Sequence, residues 1–308
     1  MIEQNYIGCD ISKRTLDFHD AASGRDVRIA NDAAAIAAHV AGLHSGRDFI
    51  VMEATGVHDR LLRHALAEAG IAFSRHNPTH THHHAKAGRQ RAKTDRLDAR
   101  MLCDYGRCHQ PAAEATPCAE RERLQALVRR RDQLVDIRAD QKKHLQEAFD
   151  ADVTTDIESL IITLDERIKA LEALIRTVTD ADATIAADYD ILVSAPGVAT
   201  VTATTLIALM PELGQRSPKT IAALAGLAPI ANESGSKTFR SHIRGGRPRV
   251  RRALYMAALT AIRSCQRFTQ AYTAIATRSG SKKLAIIAVA RKLLVSLNAM
   301  IRDKSRFA

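Results

Sequence analysis

Tyr6-Ile7-Gly8-Cys9-Asp10-Ile11, Thr15-Leu16-Asp17-Phe18-His19-Asp20 and Asp26-Val27-Arg28-Ile29-Ala30 are three short apolar or alternating runs separated by tight connections. A period of two is the pattern of a strand with one buried face, and connections this short join antiparallel neighbours. The opening of the chain therefore predicts a three-stranded meander. Beyond it come an Ala-rich helical stretch (Asp32–Leu43), an apolar run (Phe49–Glu53), a helix at about Asp59–Ala69, a further strand (Ile71–Arg75) and a helix from about Thr94.

That order, βββαβαβα, is the order of the ribonuclease-H-like fold, in which the first and fourth strands lie side by side. Asp10 and Glu53 each close one of those two strands, and Asp95 and Asp98 stand three residues apart at a helix start, on one face. Taken singly, Asp95 reads as a helix cap and Asp98 as a partner of Arg100 or Arg91. Brought together, the four carboxylates repel one another, and a cation makes the grouping favourable. They form a candidate Mg²⁺ site, with Mn²⁺ as a substitute.

Composition sets the remaining bounds. Of 308 residues, 46% are hydrophobic and 4% aromatic, with no Trp, so the core is built from Ala, Leu, Ile and Val, which favours helices. The five cysteines form no CxxC pair and are odd in number, pointing to free thiols in a reducing cytoplasm. No segment reads as a membrane span or a leader. The net charge of +11 is unevenly placed: from Ser234 onward there are 17 Lys/Arg against one acid, whereas residues 1–233 hold 28 basic and 33 acidic residues. Such a bias predicts a phosphate-binding surface in the C-terminal part.

Pro111 and Pro117 mark a boundary. Helices are expected over Glu120–Phe149 and about Thr155–Thr179, joined by the polar stretch Asp150–Thr154. Ile157, Ile161, Leu164, Ile168, Leu171, Ile175 and Val178 step by four and three, a heptad seam that serves a coiled-coil dimer or a hairpin closing on itself. Farther on, Pro196-Gly197 before a helix at Thr200–Met210 resembles a helix-hairpin-helix turn, whose backbone N–H groups face a phosphate. Ser217-Pro218 reads as an N-cap followed by Pro at the first helical position. Lys237, Arg240, Arg244, Arg247, Arg249, Arg251 and Arg252, interleaved with glycines, suit a grip on phosphates. Ser234, Ser236 and Ser241 are equal candidates for a nucleophile in that field. His80–His84 reads as a flexible loop, and Cys103 and Cys108 as packing residues on a helix.

The chain resembles the DEDD-type insertion-sequence transposases related to the Piv DNA invertase, a family of RNA-guided (bridge-RNA) serine recombinases. The resemblance rests on Gly8-Cys9-Asp10-Ile11-Ser12-Lys13, Glu53-Ala54-Thr55-Gly56, Asn77-Pro78 and Lys93-Thr94-Asp95-Arg96-Leu97-Asp98-Ala99 in a RuvC-like half. In the transposase half it rests on Pro196-Gly197-Val198, Ala225-Gly226-Leu227-Ala228-Pro229, Glu233-Ser234-Gly235-Ser236-Lys237 and Arg251-Arg252-Ala253-Leu254-Tyr255. It implies an α/β RuvC-like domain (1–112), a coiled-coil helical hairpin (113–185) and a helical transposase domain (186–308). It implies Mg²⁺ on Asp10, Glu53, Asp95 and Asp98, and Ser234 as the nucleophile that links covalently to DNA. The implied partners are double-stranded donor and target DNA, a structured non-coding guide RNA, and further copies of the chain, as homodimers pairing into a homotetramer with a site shared between subunits. The alternative is a metal-only, structure-specific nuclease of the junction-resolvase type.

Overall fold

Three strands follow one another at the start of the chain: β1 (Asn5–Ile11), β2 (Thr15–Asp20) and β3 (Arg25–Ala30). They pair antiparallel, with Asp10 opposite Asp17 and Asp17 opposite Arg28. The computed structural model describes residues 4–54, 56–87, 95–115, 118–234 and 237–308, with only the backbone for 87, 95–97, 230–234 and 237–242. After α1 (Ala33–Val40), capped by the Asp32 carboxylate on the Ala35 N–H, β4 (Asp48–Glu53) runs parallel to β1. After α2 (Arg60–Glu68), β5 (Ala72–His76) runs parallel to β4. The sheet order is β3-β2-β1-β4-β5, so the first and fourth strands are neighbours, as the element order predicts.

The sheet has two unlike faces. Ile7, Cys9, Ile11, Ile50 and Met52 pack with Ile36, Leu62 and Leu66 of α1 and α2. Tyr6, Phe49 and Val51 pack with Met101, Leu102 and Cys103 of α4 (Asp95–His109). Glycine makes the second contact close. A Cβ on Gly8 would lie 1.9 Å from the Ala99 carbonyl oxygen and 2.5 Å from the Cys103 nitrogen, so the helix backbone rests on the strand backbone. Gly106 keeps the helix close again farther along, this time against side chains, since a Cβ there would meet Val51 Cγ2 and Tyr6 Cδ1 at 2.7 and 2.8 Å. At the far side of the sheet, Arg100 of α4 reaches Asp26, which also holds the His19 Nδ1 at 2.7 Å. Arg100 and His19 hold the Asp26 carboxyl down at about 2.

Two features depart from the sequence reading. Pro78–Ala87 is a helix, α3, so His80–His84 is helical rather than a flexible loop. Asn77 Oδ1 accepts the Thr79 N–H at 2.9 Å and Pro78 occupies the first turn, a helix start that the polar histidine run disguises. Of the two cysteines read as packing residues, Cys103 is buried and its thiol reaches the Tyr6 carbonyl at 2.9 Å, but Cys108 is exposed.

The chain divides into two compact units, Met1–Pro117 and Cys118–Ala308. In the second, α5 (Ala119–Glu147) and α6 (Ala151–Ala181) form an antiparallel hairpin. Its connection is shorter than the polar stretch suggests, because Asp150 caps α6 through the Asp152 and Val153 N–H groups. Leu164 and Ile168 of the heptad seam close on Leu134 of the same hairpin, while Ile175 and Val178 join the larger helical core. Toward the tip, Leu160, Ile162 and Phe149 are exposed.

That core gathers α7 (Ala183–Val193), α8 (Thr200–Leu209), α9 (Pro218–Leu224), α10 (Pro248–Ser264), α11 (Gln266–Ser279) and α12 (Lys282–Asp303), with a hairpin of β6 (Pro229–Ser234) and β7 (Lys237–Ile243) between α9 and α10. Ser217 caps α9 with Pro218 at its first turn, as expected. Against expectation, α12 is long and apolar enough to cross a membrane. Val289, Leu293 and Leu297 are nonetheless fully buried against the other helices, the environment of a core helix. Helix α8 is apolar on all sides and almost wholly buried, so its last carbonyls need partners. Arg121 donates to the Ile207 oxygen, Gln125 to the Ala208 oxygen and Arg247 to the Leu209 oxygen. Arg247 also grips Glu212 with two bonds of 2.7 Å. Burial alone would raise the Glu212 carboxyl, but the Arg247 bonds and charge outweigh it and hold the group below its ordinary value.

Two predictions follow from these contacts. Gly8→Ala should push α4 off β1 and destabilise the first unit by about 1–3 kcal/mol, read as a lower urea midpoint by circular dichroism; an unchanged midpoint would refute the backbone contact. Arg247→Met should lower the thermal midpoint at neutral pH by removing charge-assisted bonds worth about 2 kcal/mol. Because the folded Glu212 value is depressed, that contribution is present above the ordinary carboxylate range and is lost as pH falls through the depressed value. The gap between wild type and variant should therefore narrow as pH falls through that depressed value, leaving only the part due to the Leu209 carbonyl.

Candidate metal centre and basic hairpin

Side chains alternate along a strand, so the residues that touch α4 identify the face of their neighbours. Tyr6 and Gly8 lie against α4, which places Asp10 on that face; Phe49 and Val51 do the same for Glu53. The register pairs Gly8 with Val51 and Cys9 with Met52, so Asp10 and Glu53 occupy the next step on adjacent strands. Asp98 immediately precedes Ala99, the residue whose carbonyl covers Gly8. Asp10, Glu53 and Asp98 are all half-buried. Asp95 is the first residue of α4, nearly a turn before Asp98; its side chain lies outside the described residues. The fold thus places Asp10 and Glu53 side by side at one end of the face that α4 covers, with Asp98 on that helix, and all three are hard oxygen donors of the kind a divalent cation takes.

Sequence reasoning missed three parts of this neighbourhood. Asp17, opposite Asp10 in β2, is buried and held by Arg28 Nε at 2.8 Å, which offsets the like charge across the strand pair. Its signal was the alternation of the second strand. Thr81 of α3 is fully buried and its hydroxyl donates to Glu53 Oε1 at 2.5 Å. Cys9, behind the site on the opposite face, is pushed well above the ordinary thiol value by burial and then by the charges of Asp10 and Asp17, so it stays protonated.

Three histidines gather beside this neighbourhood, His76 being the register partner of Glu53 on β5. Tyr105 is flanked by His76, His84 and His109 at centroid distances of 4.6, 5.3 and 4.3 Å. Burial, then the charges of His80 and His109, hold His76 below the ordinary imidazole value. In the second unit, Cys118, Glu120 and Asp182 form a tighter trio of potential ligands, with their donor atoms within 4.8 Å of one another. The Asp182 carboxylate already accepts the Thr184 and Ile185 N–H groups as the cap of α7.

Ser234 ends β6 and pairs with Lys237 at the head of β7. Gly235 and Ser236 lie outside the described residues, as do the side chains of Ser234, Lys237, Arg240 and Ser241. The base of this hairpin is closed by glycine on glycine: a Cβ on Gly246 would lie 2.2 Å from the Gly226 nitrogen, and both residues have positive φ. Arg251 Nη1 donates to the Gly245 oxygen at 2.8 Å and the Arg247 N–H donates to the Leu224 oxygen at 2.9 Å.

The arginines that the sequence assigns to phosphate therefore have intramolecular partners as well. Arg247 holds Glu212, Arg249 holds Asp132 at 2.9 Å, and Arg252 holds Asp136 at 2.8 Å. Arg244 is exposed. Gly197, with φ of +81°, packs so closely on α10 that a Cβ would lie 2.2 Å from the Ala257 oxygen.

Comparison with known proteins locates these features in a family. Residues 7–151 match a transposase profile of the DEDD IS110 type, and residues 189–274 match the profile of the transposase IS116/IS110/IS902 family. The chain is 27% identical to the pilin gene-inverting proteins of Moraxella lacunata and Moraxella bovis, over 99% of its own length and 98% of theirs. It is 29% identical to an uncharacterized 43.6 kDa protein of insertion element IS110 from Streptomyces coelicolor, over 49% of this chain and 37% of that protein. The first profile runs from β1 through α5 and so takes in all four carboxylates, while the second spans α8 and the Ser234 hairpin. Both sets of candidate residues thus fall inside transposase domains, and the chain belongs to the IS110/IS116/IS902 family of transposases, enzymes of DNA recombination.

Proposed function

We propose that this enzyme excises and inserts its own DNA element by strand exchange, using Mg²⁺ on Asp10, Glu53, Asp95 and Asp98 and a covalent link between Ser234 and DNA. The observation that carries the reading is the placement of Asp10 and Glu53 on adjacent strand ends of the face covered by α4, the helix that bears Asp98. The strand order β3-β2-β1-β4-β5 supports a ribonuclease-H-like, RuvC-like first domain, and the α7–turn–α8 segment supports a helix-hairpin-helix-like element around Gly197.

Bound there, the cation would polarise the scissile phosphate and lower the cost of charge on the attacking oxygen. Ser234 Oγ would give up its proton and bond to phosphorus as the bond to the leaving deoxyribose oxygen breaks, and that oxygen would take up a proton. Attack by another DNA hydroxyl on the phosphoserine would reverse the exchange, release the serine and join new strands, with no outside energy source. Lys237, Arg240 and Arg244 would hold the phosphates near that serine. Arg252, whose side chain is 70% exposed, has donors to spare beyond its bond to Asp136, whereas Arg247, Arg249 and Arg251 would act mainly by fixing the scaffold. A structured non-coding RNA would choose donor and target sites by base pairing, with homodimers pairing into a tetramer in the bacterial cytoplasm.

A metal-only nuclease would use the same carboxylates with water, and the serine separates the two readings. Ser234→Ala should abolish recombination and any denaturant-resistant protein–DNA adduct while leaving DNA binding intact, and Asp98→Ala or EDTA should abolish cleavage. A wild-type enzyme that cuts a competent substrate without ever forming the adduct would establish the water mechanism instead. Arg244→Ala should flatten the dependence of log affinity on log salt by about 0.9 if that residue contacts one duplex phosphate; an unchanged slope would remove Arg244 from the grip.

A further inference from the structure

We propose that Thr81 is a positioning residue for Glu53, and that α3, the helix carrying the histidine run, serves to deliver it; this rests on the reading of the carboxylates as a metal site. Thr81 is the fully buried residue of a helix whose neighbours His80, His82 and His83 are exposed. Its Oγ1 lies 2.5 Å from Glu53 Oε1 and 3.0 Å from the Pro78 oxygen. A hydroxyl has one proton, and the shorter, charge-assisted contact to the carboxylate takes it. With Oε1 tied back, the torsion of the carboxylate is fixed and Oε2 becomes the oxygen presented to a ligand.

The helix that brings the hydroxyl there is itself held at both ends. Asn77 caps it through the Thr79 N–H, and the His80 N–H donates to the Asn77 oxygen at 2.8 Å. At the other end His84 packs edge-on against Tyr105 and His109 of α4. Through Thr81 near one end and His84 near the other, α3 therefore links the strand that bears Glu53 to the helix that bears Asp98. Partners that orient a ligand in this way govern metal affinity as well as geometry.

The test uses the full-length protein and Mn²⁺ as the probe, with free Mn²⁺ followed by electron paramagnetic resonance. Thr81→Val keeps the shape and removes the hydroxyl, and should weaken Mn²⁺ binding by about 10–100-fold. Thr81→Ser should restore most of that loss. Circular dichroism melts establish that the variants are folded; if the valine variant is not, Thr81→Ala provides the comparison with Thr81→Ser. Asp10→Asn and Glu53→Gln should lose Mn²⁺ binding. If they do and Thr81→Val binds as wild type does, or if serine is no better than valine, the positioning role is overturned and the metal site stands. If Asp10→Asn and Glu53→Gln bind Mn²⁺ unchanged, the metal reading fails and Thr81 falls with it.

Discussion

A helix can lie directly on a strand only where no side chain intervenes, and the first unit is arranged around that fact at Gly8. The Ala99 carbonyl and the Cys103 N–H sit in the space that any Cβ at position 8 would take. That contact sets the height of α4 above the sheet, and with it the distance from Asp98 to Asp10, two residues farther along the same strand. Gly106 holds the height at a second point and the Arg100–Asp26–His19 set holds the helix laterally. Carboxylates that repel one another need a frame that does not yield, and here the frame is backbone on backbone.

The second unit shows how a strongly basic sequence divides its cations between scaffold and surface. Exposed ion pairs contribute little to stability, but a guanidinium that caps buried helix carbonyls and meets a half-buried carboxylate does more. Arg247 does both, and Arg121 adds a second capped carbonyl at the end of α8. The positive charge of the C-terminal part is therefore a poor count of phosphate contacts, since Arg249 and Arg252 already meet acids on α5 and Arg247 meets Glu212.

Much of this was legible in the residues. Period-two runs and short connections gave the meander, and strand-closing acids gave Asp10 and Glu53, because the signals are local and steric. Asp98 was legible as a position on a helix, but its height above the sheet was not, since Gly8 reads as an ordinary strand residue until α4 is placed on it. Helix α3 was hidden by histidines that lack apolar periodicity, although Asn77-Pro78 carried the start signal. Thr81 was illegible for another reason: its importance lies in a partner 28 residues away. A heptad seam suits a dimer and a hairpin equally, because both bury the same stripe; here Leu164 and Ile168 pack on Leu134 of the same chain.

Closure at Gly226 and Gly246 has a consequence for how this enzyme can change. The two glycines and the Arg247 N–H join the ends of the segment through main-chain atoms, and the Arg251 guanidinium, from outside the two strands, bonds a main-chain carbonyl. Nothing in that fastening consults the sequence of the strands it encloses. The Ser234 hairpin is thus mounted like an interchangeable tool head, and its length and chemistry can drift while the helices beneath keep their packing. Diversification of such enzymes would then proceed at the tip, and loss of either glycine would be the costlier change.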